Sequence, residues 1–297
     1  MYSGTTIRTR SGRIMGVHQR LDRLARRNLN YHLKFENDFP SYKEIVHFEG
    51  LNGPDGIKRK SPGQDEPWHF INPLDKSDTR LITYIKNHYY NLTEALKNSN
   101  RERAAFEAAW MAHAITDGLT PAHHFPLEEA LADLRGKGLD TRNTKLEKVL
   151  IIDANPIDFL SKNWKYWGAG GYMNQHVMFE LGVAAANNVT YKQAKALKED
   201  YLFLEEHSYI DYFYLALDKI FKLKMYDNFR KNGWTAKLAR QTNDILIPVI
   251  AKAIEIAWYS ACRDAGVLTL KEPKEFIISD KRKASKNRKR KDIRKYI

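Results

Sequence analysis

Residues 108–126, AAWMAHAITDGLTPAHHFP, place two ionisable side chains in a run too small and apolar to remain in water. His113 and Asp117 are four apart, so a helix carries both on one face. Ala108, Ala109, Ala112, Ala114 and Ile115 suit the rest of that helix to burial. A buried, unpaired charge is costly, so the pair calls for a compensating partner. Pro121 breaks the chain just after the helix, and His123 follows. A His and a carboxylate converging beside another His suit a divalent cation such as zinc. Taken alone, a helical His-x-x-x-Asp pair is usually a structural hydrogen-bonded pair.

The pattern recurs. His176 and Glu180, in NQHVMFE, are again four apart on a helical stretch. Upstream, GPDGIKRKSPGQDEPWHFINP offers Asp55 after a Gly-Pro bend and His69 directly after Trp68. His18 lies on an amino-terminal helical segment, where a lone histidine is by itself an ordinary core or surface residue. The single cysteine, Cys262, excludes an intrachain disulfide and any cysteine-cluster metal site, so a metal here relies on His and carboxylates. Its apolar surroundings read as a buried core thiol.

Residues 14–34 read as a basic amphipathic helix, with Ile14, Val17, Leu21, Leu24 and Ala25 at helical spacing. Residues 36–80, rich in Pro, Gly, Asn and Asp, read as a long structured loop with short helical turns. Helices are predicted at 78–99 and 101–118, a short one with a charged connection in 127–152, and another at 172–188. Residues 153–170 read as turn chemistry with two Trp. Residues 190–231 and 234–266 are expected to supply two or three long helices, with Ile245 to Trp258 nearly apolar all round and so buried. No alternating strand pattern and no repeat is found. The fold class is therefore an all-α multi-helix bundle with long structured loops, a class that builds metal sites from inward-facing side chains.

Charge is unevenly placed. The net charge is +13, and residues 281–297 hold ten Lys/Arg and one Asp, which leaves +4 for the remaining 280. The tail reads as solvated and disordered, or as adhering to nucleic acid or anionic lipid. The first 30 residues carry seven Arg and no continuous apolar run, so no signal peptide is expected. No segment is read as a transmembrane span. A cytoplasmic location, peripheral on a membrane at most, is the expectation. His124 is expected to point away from the cluster, His47 to be free for a supporting role, and His32, His88 and His207 to be structural or surface residues.

As a set, the motifs resemble the family of zinc-dependent phospholipases C and S1/P1-type nucleases. That family has a helical His-x-x-x-Asp and a Pro-containing turn with a His, matched by His113, Asp117, Pro121 and His123. It has a later His-x-x-x-Glu/Asp, matched by His176 and Glu180, and upstream an Asp after Pro and a His before an aromatic, matched by Pro54-Asp55 and His69-Phe70. A His near the start of the first helix is matched by His18. The resemblance spans roughly residues 14–190. It implies a phospholipase C/P1 nuclease-like fold with two to three zinc ions at the floor of a cleft. One ion would be held by Asp55, His69, His113 and Asp117, a second by His123, His176 and Glu180, and a third by His18 with Asp117 as bridge. One departure is plain: secreted relatives begin with a Trp whose amine and carbonyl bind the third metal, whereas Met1 stands seventeen residues before His18.

On this resemblance residues 1–13 form an N-terminal extension, 14–270 a single helical metal-binding hydrolase domain, and 271–297 a basic tail. The implied activity is hydrolysis of a phosphodiester by a metal-activated water, with Asp55 as general base. Glu180, rather than Asp, favours the phospholipase C side over a single-strand nuclease. The substrate is then a phospholipid head group or single-stranded nucleic acid. A reading of another class is a non-catalytic helical binding protein with a basic tail.

Overall fold

The computed structural model describes residues 1–3, 16–62 and 66–268. Among them the secondary structure is helical, with one isolated bridge pairing Leu33 and Leu268. The all-α class is thus observed, and the predicted basic tail lies outside the described residues.

The centre is a packed set of four helices. Helix α1 (Val17–Leu29) is followed by the short α2 (Tyr42–His47) and α3 (Pro54–Lys60) within the long loop region. Then α4 (Arg80–Lys97) and α5 (Arg101–Gly118) form an antiparallel hairpin. The predicted helices over 78–99 and 101–118 match these two closely. Asn100 caps α5 by accepting a hydrogen bond from the Arg103 amide at 3.1 Å. The alanines of α5 let its backbone approach its neighbours so closely that the Trp258 indole N–H reaches the Ala108 carbonyl at 3.1 Å, both residues fully buried.

After α5 come α6 (Leu127–Arg135), α7 (Leu146–Val149), α8 (Pro156–Trp167) and α9 (Tyr172–Ala186). The turn reading of 153–170 is corrected here. Asn155 accepts from the Ile157 amide at 2.9 Å, and Pro156 occupies the first position of a helix of twelve residues. The carboxyl-terminal part is also more divided than expected, as α10 (Lys198–Glu206), α11 (Tyr209–Phe221), α12 (Met225–Asn232), α13 (Ala236–Gln241) and α14 (Ile247–Ala265). The breaks have local causes: a Ser208–Asp211 capping box restarts the chain at α11, Lys224 takes a left-handed φ of 51°, and Gly233 a φ of 66°.

A turn of π-helix, Thr242–Leu246, joins α13 to α14. The continuous stretch Ala236–Ala265 is long and apolar enough, with mean hydropathy 1.6, to cross a membrane; 78% of the apolar window is buried inside the fold. Helices α1, α4, α5 and α11 supply that cover. Cys262 is buried there, as expected.

Three residues of the expected amino-terminal extension pack into the helical body. Met1, Tyr2 and Ser3 are buried rather than extending outward, with the Val17 backbone N–H donating to the Tyr2 carbonyl at 2.7 Å and the Gln19 side-chain Nε2 to the Ser3 carbonyl at 2.7 Å. They belong to the domain.

One buried acid sets a pH dependence of the core. Glu255 of α14 accepts from Tyr201 Oη, Asn28 Nδ2 and the Ala196 amide. Burial outweighs these donors and raises its pKa to about 7. Its proton is therefore held more tightly in the folded state than in the unfolded one. Stability falls as pH rises from about 4.5 to about 7 and is level above. Glu255→Gln reproduces the protonated form, with its amide donating to Tyr201 and its oxygen accepting from Asn28 and Ala196. In urea unfolding the variant is expected to match wild type near pH 4.5 and to exceed it by up to about 3 kcal/mol at pH 8. An equal difference at both pH values would show that Glu255 is ionised throughout.

Candidate metal centre

Helix α5 contributes His113 and Asp117 from adjacent turns, both almost fully buried. The 3-10 turn Pro121–His124 then folds back so that His123 faces the same point, while its Nδ1 donates to the His69 carbonyl at 2.8 Å. That bond fixes the loop strand bearing His69, reinforced by the Ile71 amide donating to the His123 carbonyl at 3.2 Å. Asp55 comes from the first turn of α3. Gly56 beside it permits the close approach: a Cβ there would lie 2.1 Å from the Leu51 carbonyl oxygen. Helix α9 adds His176 and Glu180, and α1 adds His18.

All eight residues expected from the sequence converge. Asp55, His69, His113 and Asp117 form one group whose ligand atoms lie within 4.8 Å of one another, and His123, His176 and Glu180 form another. Asp117 is the node. Its Oδ2 lies 2.6 Å from His69 Nδ1 and 3.1 Å from His113 Nε2; its Oδ1 lies 3.4 Å from His18 Nε2 and 3.8 Å from His123 Nε2. Glu180 Oε1 stands 3.0 Å from His123 Nε2 and 3.1 Å from His176 Nε2. Asp55 Oδ1 is 3.7 Å from His113 Nε2, and its side chain is 26% exposed, making it the ligand candidate most open to solvent.

Two participants escaped the sequence reading. Glu49, fully buried, accepts from His113 Nδ1 at 3.1 Å and joins His18 and His113 in a third donor group. Such a partner turns the other ring nitrogen towards the cluster, as around metal-binding histidines generally. Met1 is the second. Its α-amine lies 2.8 Å from Asp117 Oδ1 and 3.3 Å from Glu180 Oε1, and its carbonyl accepts from His18 Nε2 at 2.8 Å. A lone Glu in a polar loop and a residue seventeen positions before His18 carry no spacing that would mark them. Of the histidines set aside, His124 donates to the Gly118 carbonyl at 2.9 Å, away from the cluster. His47 is exposed and packs edge-on against Phe48, so it plays no supporting role.

The charges compensate one another. Burial would neutralise the Met1 amine, yet Asp117, Glu180 and Asp55 outweigh it and raise its pKa to about 11. Burial likewise opposes the charge on His113, but Glu49, Asp117 and Asp55 hold it protonated. Against burial, His123, the Met1 amine and His113 keep Asp117 well below the usual carboxylate range, and the Met1 amine and His176 do the same for Glu180. Burial and the cation of Lys58 push His69 down to about 3, so it is a neutral donor. Behind His113, burial and neighbouring Glu49 push Asp22 well above the carboxylate range.

The donor set fits a metal such as zinc. Nδ1 of His113 is engaged by Glu49, which leaves its buried Nε2 between Asp117 at 3.1 Å and Asp55 at 3.7 Å; His69 gives Nδ1 to Asp117, and its Nε2 is buried without a hydrogen-bond partner among the described residues. Buried polar atoms are nearly always satisfied, so a partnerless His69 nitrogen and a His113 nitrogen set between two carboxylates suit a site able to take a cation.

Asp55 also lines a cavity of about 550 Å³ between α3, α6 and α8, whose apolar wall includes Phe70, Leu131, Tyr166, Trp167 and Met173. Comparison with protein-family models, curated proteins and solved structures finds no match to this chain.

Proposed function

We propose that the chain is a zinc-dependent phosphodiester hydrolase of the phospholipase C-like type, with an all-α phospholipase C/P1 nuclease-like fold. The observation that carries this reading is the pair of His/carboxylate groups joined through Asp117 and reached from an open cavity at Asp55. Asp55, His69, His113 and Asp117 would hold one ion, and His123, His176 and Glu180 a second. The third would take His18 and Asp117. The Met1 amine and carbonyl stand beside these two side chains, the place that an amino-terminal Trp takes in the family the motifs resemble. When bound, zinc supplies a water ionised near neutral pH and offsets the charge of the phosphate.

The protein's own groups do the rest. Asp55, at the solvent-facing edge, takes the proton of the attacking water on a carboxylate oxygen. Glu49 orients His113, and the His69 carbonyl orients His123, so that neither ring needs to reorganise during the reaction. Phe70 stacks on His123 with ring centroids 5.1 Å apart and keeps water from its face.

A single-strand nuclease is the second reading, favoured by Trp167 at the cavity, where a base would stack. Trp68 is not free for that role, because the Arg80 guanidinium covers its ring at 3.4 Å. The test is elemental analysis of the purified protein followed by assay on phospholipid vesicles and on single-stranded DNA. About two to three zinc ions per chain with release of diacylglycerol is expected. Zinc with DNA cleavage alone would move the reading to the nuclease. Zinc near zero would sink it and leave a helical binding protein.

A further inference from the structure

The cavity beside Asp55 is lined by five cationic side chains, Lys58, Arg59, Arg142, Lys145 and Lys148, against three carboxylates, one of which is Asp55 itself. Lys58 lies 3.7 Å from Glu128, Lys148 is bound to Glu66, and Arg59 is engaged as well. Arg142 differs. It is only 7% exposed, and its Nε is buried without a hydrogen-bond partner among the described residues. A second guanidinium, Arg135, lies close enough that the charge of Arg142 helps lower the Arg135 pKa. The nearby Glu147 is engaged elsewhere, accepting from the Asn143 and Thr144 amides and lying 3.8 Å from Arg135. A buried guanidinium with an idle donor, facing a cavity rich in cations, requires an anion, and its planar fork suits phosphate.

The surface next to this cavity identifies the molecule that bears the phosphate. On α8, Ile157, Leu160, Trp164 and Trp167 recur at spacings of three and four, and all are exposed, at 77%, 67%, 71% and 41%. Val149 and Ile152 extend this face and are at least half exposed. Lys145 and Lys165 flank it. Val149 and Trp167 belong both to this face and to the cavity lining. An apolar helical face with Trp and flanking Lys is the composition that seats in an anionic bilayer surface. A strand of nucleic acid has no use for exposed Ile157 and Leu160.

We propose that the cavity is a subsite for a second phosphate, centred on Arg142, and that the substrate is a membrane phospholipid whose head group carries that phosphate. This rests on the hydrolase reading above. Water adds to the phosphodiester phosphorus while the bond from phosphorus to the glycerol oxygen breaks. One water proton ends on the diacylglycerol hydroxyl, and the head group leaves with both phosphates.

The experiment compares phosphatidylcholine vesicles containing phosphatidylinositol 4-phosphate with vesicles matched in surface charge by phosphatidylserine. Diacylglycerol release and co-sedimentation are both read. Wild type is expected to prefer the phosphorylated head group about tenfold, the scale of one charge-assisted hydrogen bond. Arg142→Gln is expected to bring that ratio to about one, and Arg142→Lys to restore part of it. Because α8 is exposed, Trp164→Ser should fold and yet lose vesicle association. Equal treatment of the two charge-matched vesicles by wild type overturns the subsite. Unchanged sedimentation of Trp164→Ser, or an Arg142-dependent preference for 5′-phosphorylated DNA, overturns the lipid assignment. Arg142-dependent sedimentation with no hydrolysis of any vesicle sustains the subsite and removes only the hydrolase reading.

Discussion

Asp117→Ala is expected to empty the metal cluster and abolish hydrolysis together. Both oxygens of Asp117 are in use, one towards His69 and His113 and the other towards the Met1 amine and His18. Among the described residues it is the carboxylate that touches members of all three proposed sites. Changing an outer partner of a metal ligand already costs about 10- to 100-fold in affinity, so loss of a bridging ligand should cost at least about 100-fold. The substitution also removes one counter-charge from the buried Met1 amine, which keeps Glu180, and from His113, which keeps Glu49, so it costs less than breaking a buried pair outright, which is about 3–5 kcal/mol. Zinc content per chain, diacylglycerol release and the thermal midpoint are the three readouts. Asp117→Asn, which keeps the shape, separates folding from metal binding. Zinc content near that of wild type in either variant would remove Asp117 from the centre.

Asp55→Asn should act differently. Asp55 lies at the edge of its group, a quarter exposed, and its partner His113 remains held by Glu49 and Asp117. The site made by His123, His176 and Glu180 does not involve it. The amide cannot accept a proton, and general-base catalysis is worth about 100- to 10,000-fold. The expectation is therefore a fall of that size in kcat, with zinc retained in the group on α9. A variant that keeps its zinc and a near-normal rate would show that the proton goes elsewhere.

The parts of this site that could be read from the sequence are those written in helical spacing. His113 with Asp117 and His176 with Glu180 declare a shared face by their separation of four, and α5 announces burial through its alanines. Asp55 and His69 lie on irregular backbone and became legible only as part of a set. Glu49 and Met1 reach the cluster through tertiary folding, which no local pattern records. Helix α8 was missed for a related reason. Its Ile, Leu and Trp residues face outward, and Asn155-Pro156, read as a turn, is instead a cap followed by the first helical position. The expected long helices between 190 and 266 were interrupted by capping and left-handed residues whose effect depends on where the core lies.

The ligands are scattered along the chain, and this has a consequence for when they can meet. His18 and Glu180 are 162 positions apart, and the node Asp117 lies between them. At about 5–20 residues per second of synthesis, the first of these groups waits roughly 8–30 s for the last. For the first part of that interval, until Asp117 is made, the ribosome-bound chain displays His18, Asp55 and His69 without the carboxylate that joins them. A metal captured then would meet an open, weak set of donors with no fixed geometry. Under the proposed function, loading thus belongs to the finished fold, and the solvent-facing edge at Asp55 is the route in for metal and substrate alike.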